Sequence, residues 1–348
     1  MATKRTGRAR QHLMALGTRI VSWLGSPGLG ASVAPLVLPA VLIPWLWLCW
    51  RNCTHGLLYR DTTMFLYVAW CVRHGERLYD TVAMPDGPLV CLLHMLLQGL
   101  AGSSERAIRV VDILLHAVGA GAIGAILVPP RIQHRAVACV VWALVSASCW
   151  WACLFHWAYG ETVMRESYYA LLTLLGFALL FASGERGPRG STVALVLGGV
   201  FVALPVFGKQ TNAVFVLLAF GTLALEPSSP TQSRLRRVGL AAAGLAGCTV
   251  LVLGFVAIFG SLRGYWFWSF DYVTTFYRFI DRRTLIDVVK ALPKDLVPIA
   301  LICSVVGALA VTRGLLSART FAFAGAPALG LAGAVLLQKG WDYHYIPA

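Results

Sequence analysis

The sequence predicts an all-α polytopic membrane protein with about nine transmembrane helices and a cytoplasmic N-terminus, and three observations lead there. Hydrophobic residues make up 58% of the 348 and charged residues only 13%, with a mean hydropathy of +0.72. That balance excludes an ordinary soluble domain. Apolar runs recur at 31–50, 108–127, 136–155, 167–183, 191–207, 211–225, 238–259, 296–312 and 320–337. Each is roughly 15–22 residues, what a helix needs at 1.5 Å per residue to cross a hydrocarbon layer about 30 Å thick. They are rich in Leu, Ala, Val and Gly and lack the two-residue alternation of an outer-membrane barrel.

The third observation is charge. With the N-terminus inside, the inner segments hold 14 of the 29 Lys and Arg but only Glu185 and Glu226 of the 15 acids. The short loops 128–135, 184–190, 226–237 and 313–319 all agree with positive charge inside. The sequence pI of 9.7 therefore reflects topology and anionic lipid headgroups rather than nucleic acid, because no basic run is interleaved with stacking aromatics.

In chain order, residues 1–30 read as a cytoplasmic tail. A basic start leads into an amphipathic stretch, Gln11 to Leu24, and then a Gly/Ser/Pro-rich segment. No small-residue cleavage site follows an apolar core, so the expectation is a retained anchor. Residues 31–348 read as one transmembrane domain with two longer extramembrane loops, 51–107 and 260–295, on the same non-cytoplasmic face. In the first, Thr62–His74 and Pro88–Leu100 have helical length and an apolar stripe, and read as helices lying on the membrane surface. The second concentrates Tyr265, Trp266, Trp268, Phe270, Tyr272, Phe276, Tyr277 and Phe279. Such a cluster serves as an interfacial belt or as a platform for sugar or lipid. There is no internal repeat of the kind that marks inverted-repeat transporters.

The nine cysteines include no Cys-x-x-Cys pair, and most read as small apolar filler within spans. Cys53 and Cys71 share the outer face, and spacing alone is a poor reason to pair them. The eight histidines show neither His-x₃-His nor His-Glu-x-x-His spacing, so no metal site is expected from them.

Chemistry is expected in the polar interruption at 51–88. Read along the chain it gives Asp61, Tyr67 and Ala69, Gly75-Glu76-Arg77-Leu78-Tyr79-Asp80, then Asp86-Gly87-Pro88. Polar side chains at a membrane face are costly and tend to be functional. Asp61, followed by two threonines before an apolar helix, reads equally well as a helix cap and as a general base. Asp86 before Gly-Pro reads equally as a turn former. Elsewhere on the same face stand Glu161, Arg165 and Glu166 between the third and fourth spans. A local ion pair at a helix start explains Glu166 more readily than Arg165. Lys209 sits between the fifth and sixth spans with no acid nearby in sequence, which suits snorkelling and a phosphate alike. The last is the segment Lys339-Gly340-Trp341-Asp342-Tyr343-His344-Tyr345-Ile346-Pro347.

The order Asp61, Gly75-x-x-x-Tyr79 and Gly87-Pro88 resembles the first extracytoplasmic loop of the GT-C superfamily, in its bacterial branch related to protein O-mannosyltransferases and aminoarabinose transferases. The residue after Asp61 is Thr62, where that family commonly has a second acid. The C-terminal Lys-then-Tyr-rich, Pro-terminated segment is similar to the one preceding a further span in these enzymes. This chain stops at Ala348, so the resemblance implies a truncated or a compact member.

The resemblance implies an inverting glycosyltransferase of the bacterial inner membrane, multi-pass, with its site on the periplasmic side. It would move a sugar from a polyprenyl-phosphate donor to an acceptor glycan, lipid or protein without a nucleotide sugar. Asp61 would be the catalytic base. Lys339, then Lys209, Arg165 and His344, would meet the donor phosphate, and Asp86, Tyr79, Glu161 and Tyr343 would line the substrate site. No cofactor is implied with certainty, because a lone Asp with water holds a divalent cation or none. The competing expectation is non-enzymatic, a lipid or glycolipid flippase or a membrane scaffold. It needs many spans and interfacial aromatics but no carboxylate opposite a lysine. The discriminating geometry is whether Asp61, Lys209 and Lys339 converge.

Overall fold

The computed structural model describes residues 60–128, 135–157, 163, 165–185, 188–225, 233–276 and 284–290, with isolated positions 43, 47, 50 and 51. The described residues are almost entirely helical, and none of them lies in a strand. Two helices of the first loop come first, α1 Arg60–Arg73 and α2 Pro88–Ala101. A bundle follows, made of α3 Glu105–Leu127, α4 Arg135–Trp157, α5 Arg165–Ala182, α6 Pro188–Ala203, α7 Ala213–Leu225 and α8 Arg234–Phe259. Short helices α9 Leu262–Trp266 and α10 Tyr272–Thr275 flank a π-helical turn at Phe267–Asp271, and α11 spans Leu285–Lys290.

Local chemistry sets many of the helix starts. Pro88 occupies the first turn of α2, where its missing N–H costs nothing. Ser104, Ser233 and Ser261 cap α3, α8 and α9 by accepting from Ala107, Arg236 and Gly264 backbone N–H groups.

Three of the helices, Glu105–Leu127, Arg189–Phe207 and Arg234–Phe259, are long and apolar enough to cross a membrane. Val250, Leu251 and Ile258 of α8 and Leu217 of α7 are exposed by about 70% or more. An outward apolar face of this kind fits a membrane protein. The expected runs 108–127, 136–155, 167–183, 191–207, 211–225 and 238–259 coincide with α3 to α8 within a few residues. The expected runs 296–312 and 320–337 lie outside the described residues, as does nearly all of 31–50. Thr62–His74 and Pro88–Leu100 correspond to α1 and α2.

The bundle packs α3 against α4 and α5, and α6 against α5 and α8. Neighbours in sequence run antiparallel, so the starts of α3, α5 and α7 share one end with the finishes of α4, α6 and α8. Phe177, Leu180, Leu195, Phe215 and Ala241 form one buried core between α5, α6, α7 and α8. At the opposite end stand Arg135, Arg189, Arg234 and Arg236, four of the fourteen basic residues that carry the charge asymmetry in the sequence.

At the first end the segment after α1 meets the segment after α8. Leu78 N–H donates to the Phe259 carbonyl at 2.9 Å, and Ser261 N–H donates back to the Leu78 carbonyl at 3.0 Å. Arg77 donates to the Gly260 carbonyl. A second core forms under this seam from Phe65, Val68, Leu78, Tyr79, Met84, Val90, Tyr169 and Val256. Cys71 is a buried free thiol within α1, and Cys53 lies outside the described residues.

Candidate functional site

Three chain segments converge beneath the seam: the turn at Asp86-Gly87, the first turn of α5 and the Gly208-Lys209 turn between α6 and α7. Gly87 N–H donates to the Gly208 carbonyl at 3.1 Å. The backbones approach so closely that a side chain on Gly87 would collide with the Phe207 carbonyl. One on Gly208 would collide with the phenol end of Tyr169. The Gly-Pro that opens α2 is thus explained by close packing as well as by helix initiation.

This approach assembles a chain of charges. Arg165 donates from Nη1 to Asp86 Oδ2 at 3.1 Å and from Nε to Glu166 Oε1 at 3.0 Å. Its guanidinium carbon stands 4.6 Å from the centre of the Phe65 ring, a cation–π arrangement that favours a desolvated guanidinium. Lys209 Nζ lies 3.7 Å from the same Glu166 Oε1. Arg165 and Glu166 are 6% and 1% exposed, so most of this network is shielded from solvent. Asp61, in the first turn of α1, lies within electrostatic range of Asp86.

Environment tunes the two groups at the turns. Burial pushes the Asp86 carboxyl above its ordinary range, opposed by Arg165 and Lys209 and reinforced by Glu166 and Asp61. Burial lowers the Lys209 amine, with Arg165 adding to the effect and Glu166 and Asp86 opposing it. Arg165 and Lys209 are therefore not bare cations. Each is held by a carboxylate, and an anion reaching them must exchange with Asp86 or Glu166.

The structure brings together Asp86, Arg165 and Lys209 from the sequence-based candidates, and Asp61 acts on Asp86 electrostatically. Tyr79 has a different environment from the one expected of a substrate contact. It is 3% exposed, and its hydroxyl donates to the Asp86 carbonyl at 2.6 Å, closing the loop on itself. Burial, then Tyr265 and Asp86, hold that hydroxyl well above the ordinary tyrosine range. Glu161, Lys339, Tyr343 and His344 lie outside the described residues. The aromatic second loop forms a ladder, with Trp266 on Phe270 at 4.6 Å and Trp268 on Tyr272 at 4.9 Å. It is tied to the site by Gln210, whose side-chain amide donates to the Ser269 carbonyl at 3.0 Å.

Sequence reasoning missed a second polar cluster one helical turn deeper. Asp112 accepts from the Tyr168 hydroxyl at 2.6 Å and from Val163 N–H at 3.0 Å. His116 Nδ1 is 3.3 Å from the Asp112 carboxylate, and its Nε2 is 3.1 Å from Ser167 Oγ. The signal was the pair Asp112 and His116 four apart within an apolar run, a spacing that puts both on one helix face. All four side chains are at most 4% exposed. They join α3 to α5 and anchor Val163, held at φ 67°, two residues before Arg165. Among the described residues no group of three His, Cys, Asp or Glu is placed to hold a metal ion. Comparisons with protein-family models, curated proteins and solved structures returned no match.

Proposed function

We propose that the protein is an inverting glycosyltransferase that takes a sugar from a polyprenyl-phosphate carrier at the extracytoplasmic face of a bacterial inner membrane. The observation that carries this reading is the convergence of Asp86, Arg165, Glu166 and Lys209 at one end of the bundle, the end opposite the basic helix starts. A scaffold has no need to gather carboxylates and cations from the 74–87 loop, α5 and the α6–α7 turn at a single shielded place.

In the proposed reaction Asp61 removes the proton from the acceptor hydroxyl as its oxygen bonds to the anomeric carbon. The bond from that carbon to the phosphate oxygen breaks, and the electron pair leaves with polyprenyl phosphate. Lys339 meets the charge developing on that oxygen. Arg165 and Lys209 orient Asp86 and Glu166, and reach the phosphate only by exchanging a carboxylate partner. The sequence resemblance contributes the donor class, and the clustered charges supply groups of the right type.

The test uses membranes containing the full chain, supplied with a polyprenyl phosphate bearing a radiolabelled sugar. The wild type transfers label, and Asp61→Asn loses at least 10²-fold in rate, the scale of a positioned general base. Undiminished transfer by Asp61→Asn at equal protein level removes Asp61 as the base. No turnover of the labelled lipid by wild type removes the enzyme reading.

A further inference from the structure

Within the charged site two buried polar atoms have no hydrogen-bond partner in the protein, Glu166 Oε2 and Tyr169 Oη. Both residues are 1% exposed. They stand three positions apart on α5, so they share a helix face. Their surroundings fix what they are available to do. Glu166 Oε1 is engaged by Arg165 Nε and Lys209 Nζ, which leaves Oε2 as the acceptor that points elsewhere. The phenol end of Tyr169 packs on Gly208, the residue before Lys209. Its hydroxyl is within electrostatic range of Arg165, Asp86 and Glu166.

An unpartnered buried acceptor is costly, and more so when it is charged. A ligand that completes them is one reason such atoms persist. The required ligand donates to a carboxylate oxygen and both donates to and accepts from a phenol. Hydroxyl groups do this. A further anion does not, because Glu166 already carries the negative charge at that point. Asp86 and Glu166 also match Arg165 and Lys209 in number, so these four side chains offer no surplus positive charge to an acidic ligand.

We infer that Glu166 Oε2 and Tyr169 Oη form a hydroxyl-recognition subsite that selects a neutral sugar ring over an acidic one. This rests on the glycosyltransferase reading for its biological substrate, but not for its chemistry. A subsite built to hydrogen-bond a hydroxyl discriminates strongly against ligands that lack it, since its own buried groups are then left unpaired.

The test separates sugar from phosphate. Full-length protein in nanodiscs free of glycoside detergent is titrated with three probes while tryptophan fluorescence is followed. They are dodecyl maltoside, a polyprenyl phosphate without sugar, and the same lipid phosphate bearing glucose. Tyr169→Phe and Glu166→Gln each weaken binding of the maltoside and of the glucosyl lipid about tenfold or more. Neither variant weakens binding of the sugar-free phosphate; Tyr169→Phe melts within a few degrees of wild type, and Glu166→Gln, which leaves Arg165 and Lys209 without their shared carboxylate, melts lower but remains folded.

The subsite is overturned if both variants bind the maltoside and glucosyl lipid as wild type does. It is equally overturned if wild type binds neither sugar-bearing probe, or if the sugar-free lipid weakens in parallel. Maltoside binding with the expected dependence, but no binding of either lipid phosphate, retains the subsite and removes the polyprenyl donor.

Discussion

Lys209 Nζ stands 3.7 Å from Glu166 Oε1, joining the turn after α6 to the first turn of α5 across 43 residues of sequence. Nothing acidic lies near Lys209 in the chain, yet the fold delivers a carboxylate to it. Glu166 in turn bridges Lys209 and Arg165 through a single oxygen.

Breaking that bridge is expected to be more harmful than erasing it. Lys209→Met strands a carboxylate that is 1% exposed and retains only Arg165. The expected loss is about 3 kcal/mol, at the lower end for a broken buried pair because the contact is long. Adding Glu166→Gln removes the stranded charge and recovers part of the loss. Thermal melts of the two single variants and the double variant in nanodiscs supply the cycle. Additive losses would show that the pair is not coupled.

The close approach at Gly87 makes a second expectation. A methyl group there meets the Phe207 carbonyl directly, and backbone has little room to yield. Gly87→Ala is expected to cost about 1–3 kcal/mol through overpacking. It also pulls the Asp86 carboxylate away from Arg165, so transfer falls along with stability. Gly99→Ala, within α2 and with open space around it, is the control: it leaves transfer unchanged and does not lower stability.

How much of this was legible in the sequence depends on the range of the interaction. Apolar runs and caps are local, so α3 to α8 and the Gly87-Pro88 start of α2 could be read directly. Charge segregation placed Asp61, Asp86, Arg165 and Lys209 on one face, because alternating helix direction follows from short connections. The partners of those residues could not be read. The pairing of Asp86 with Arg165 spans 79 residues, and Tyr79 turned inward because its own loop needed a donor for the Asp86 carbonyl. Glu166 looked like a local partner of Arg165, which it is, but its second partner, Lys209, comes from the Gly208 turn. The same limit hid the Asp112 cluster.

Arg165 tests whether geometry or charge matters at the centre of the site. Its fork spans Asp86 and Glu166 while its plane lies on Phe65. A lysine keeps the charge but cannot hold both carboxylates and the ring contact together. Arg165→Lys is expected to lower turnover by up to about 10²-fold, the scale of an ångström-sized misplacement of reacting groups. Steady-state transfer kinetics check this. Near-wild-type turnover would reduce Arg165 to a point charge.

The raised Asp86 carboxyl predicts a pH dependence of stability. With its folded value above the ordinary 3.8, the folded state binds more protons than the unfolded state over the interval between the two. Stability from this group is therefore fully present below 3.8 and is lost as pH rises through the folded value. Asp86→Asn removes that loss. The melting temperature of wild type relative to Asp86→Asn is expected to be higher at pH 4 than at pH 7. The opposite trend would mean that the Arg165 attraction outweighs burial at Asp86.

The Asp112 cluster is expected to act on the site through Val163. Asp112 holds Val163 N–H, and Val163 precedes Arg165 by two residues at a backbone angle that few side chains adopt. Tyr168→Phe removes one charge-assisted hydrogen bond to Asp112 and is expected to cost about 1.5–3 kcal/mol. Asp112→Ala does more, since Val163 N–H and the Tyr168 hydroxyl both lose their acceptor, while His116 Nδ1 keeps the Asp112 main-chain carbonyl. Release of Val163 then frees the first turn of α5, and Arg165 loses its fixed approach to Asp86. Amide exchange at 163–168 is expected to quicken in Asp112→Ala more than in Tyr168→Phe, while exchange in α8 is unchanged. If exchange quickens equally across the bundle, the cluster is a general staple between α3 and α5 with no particular hold on Arg165.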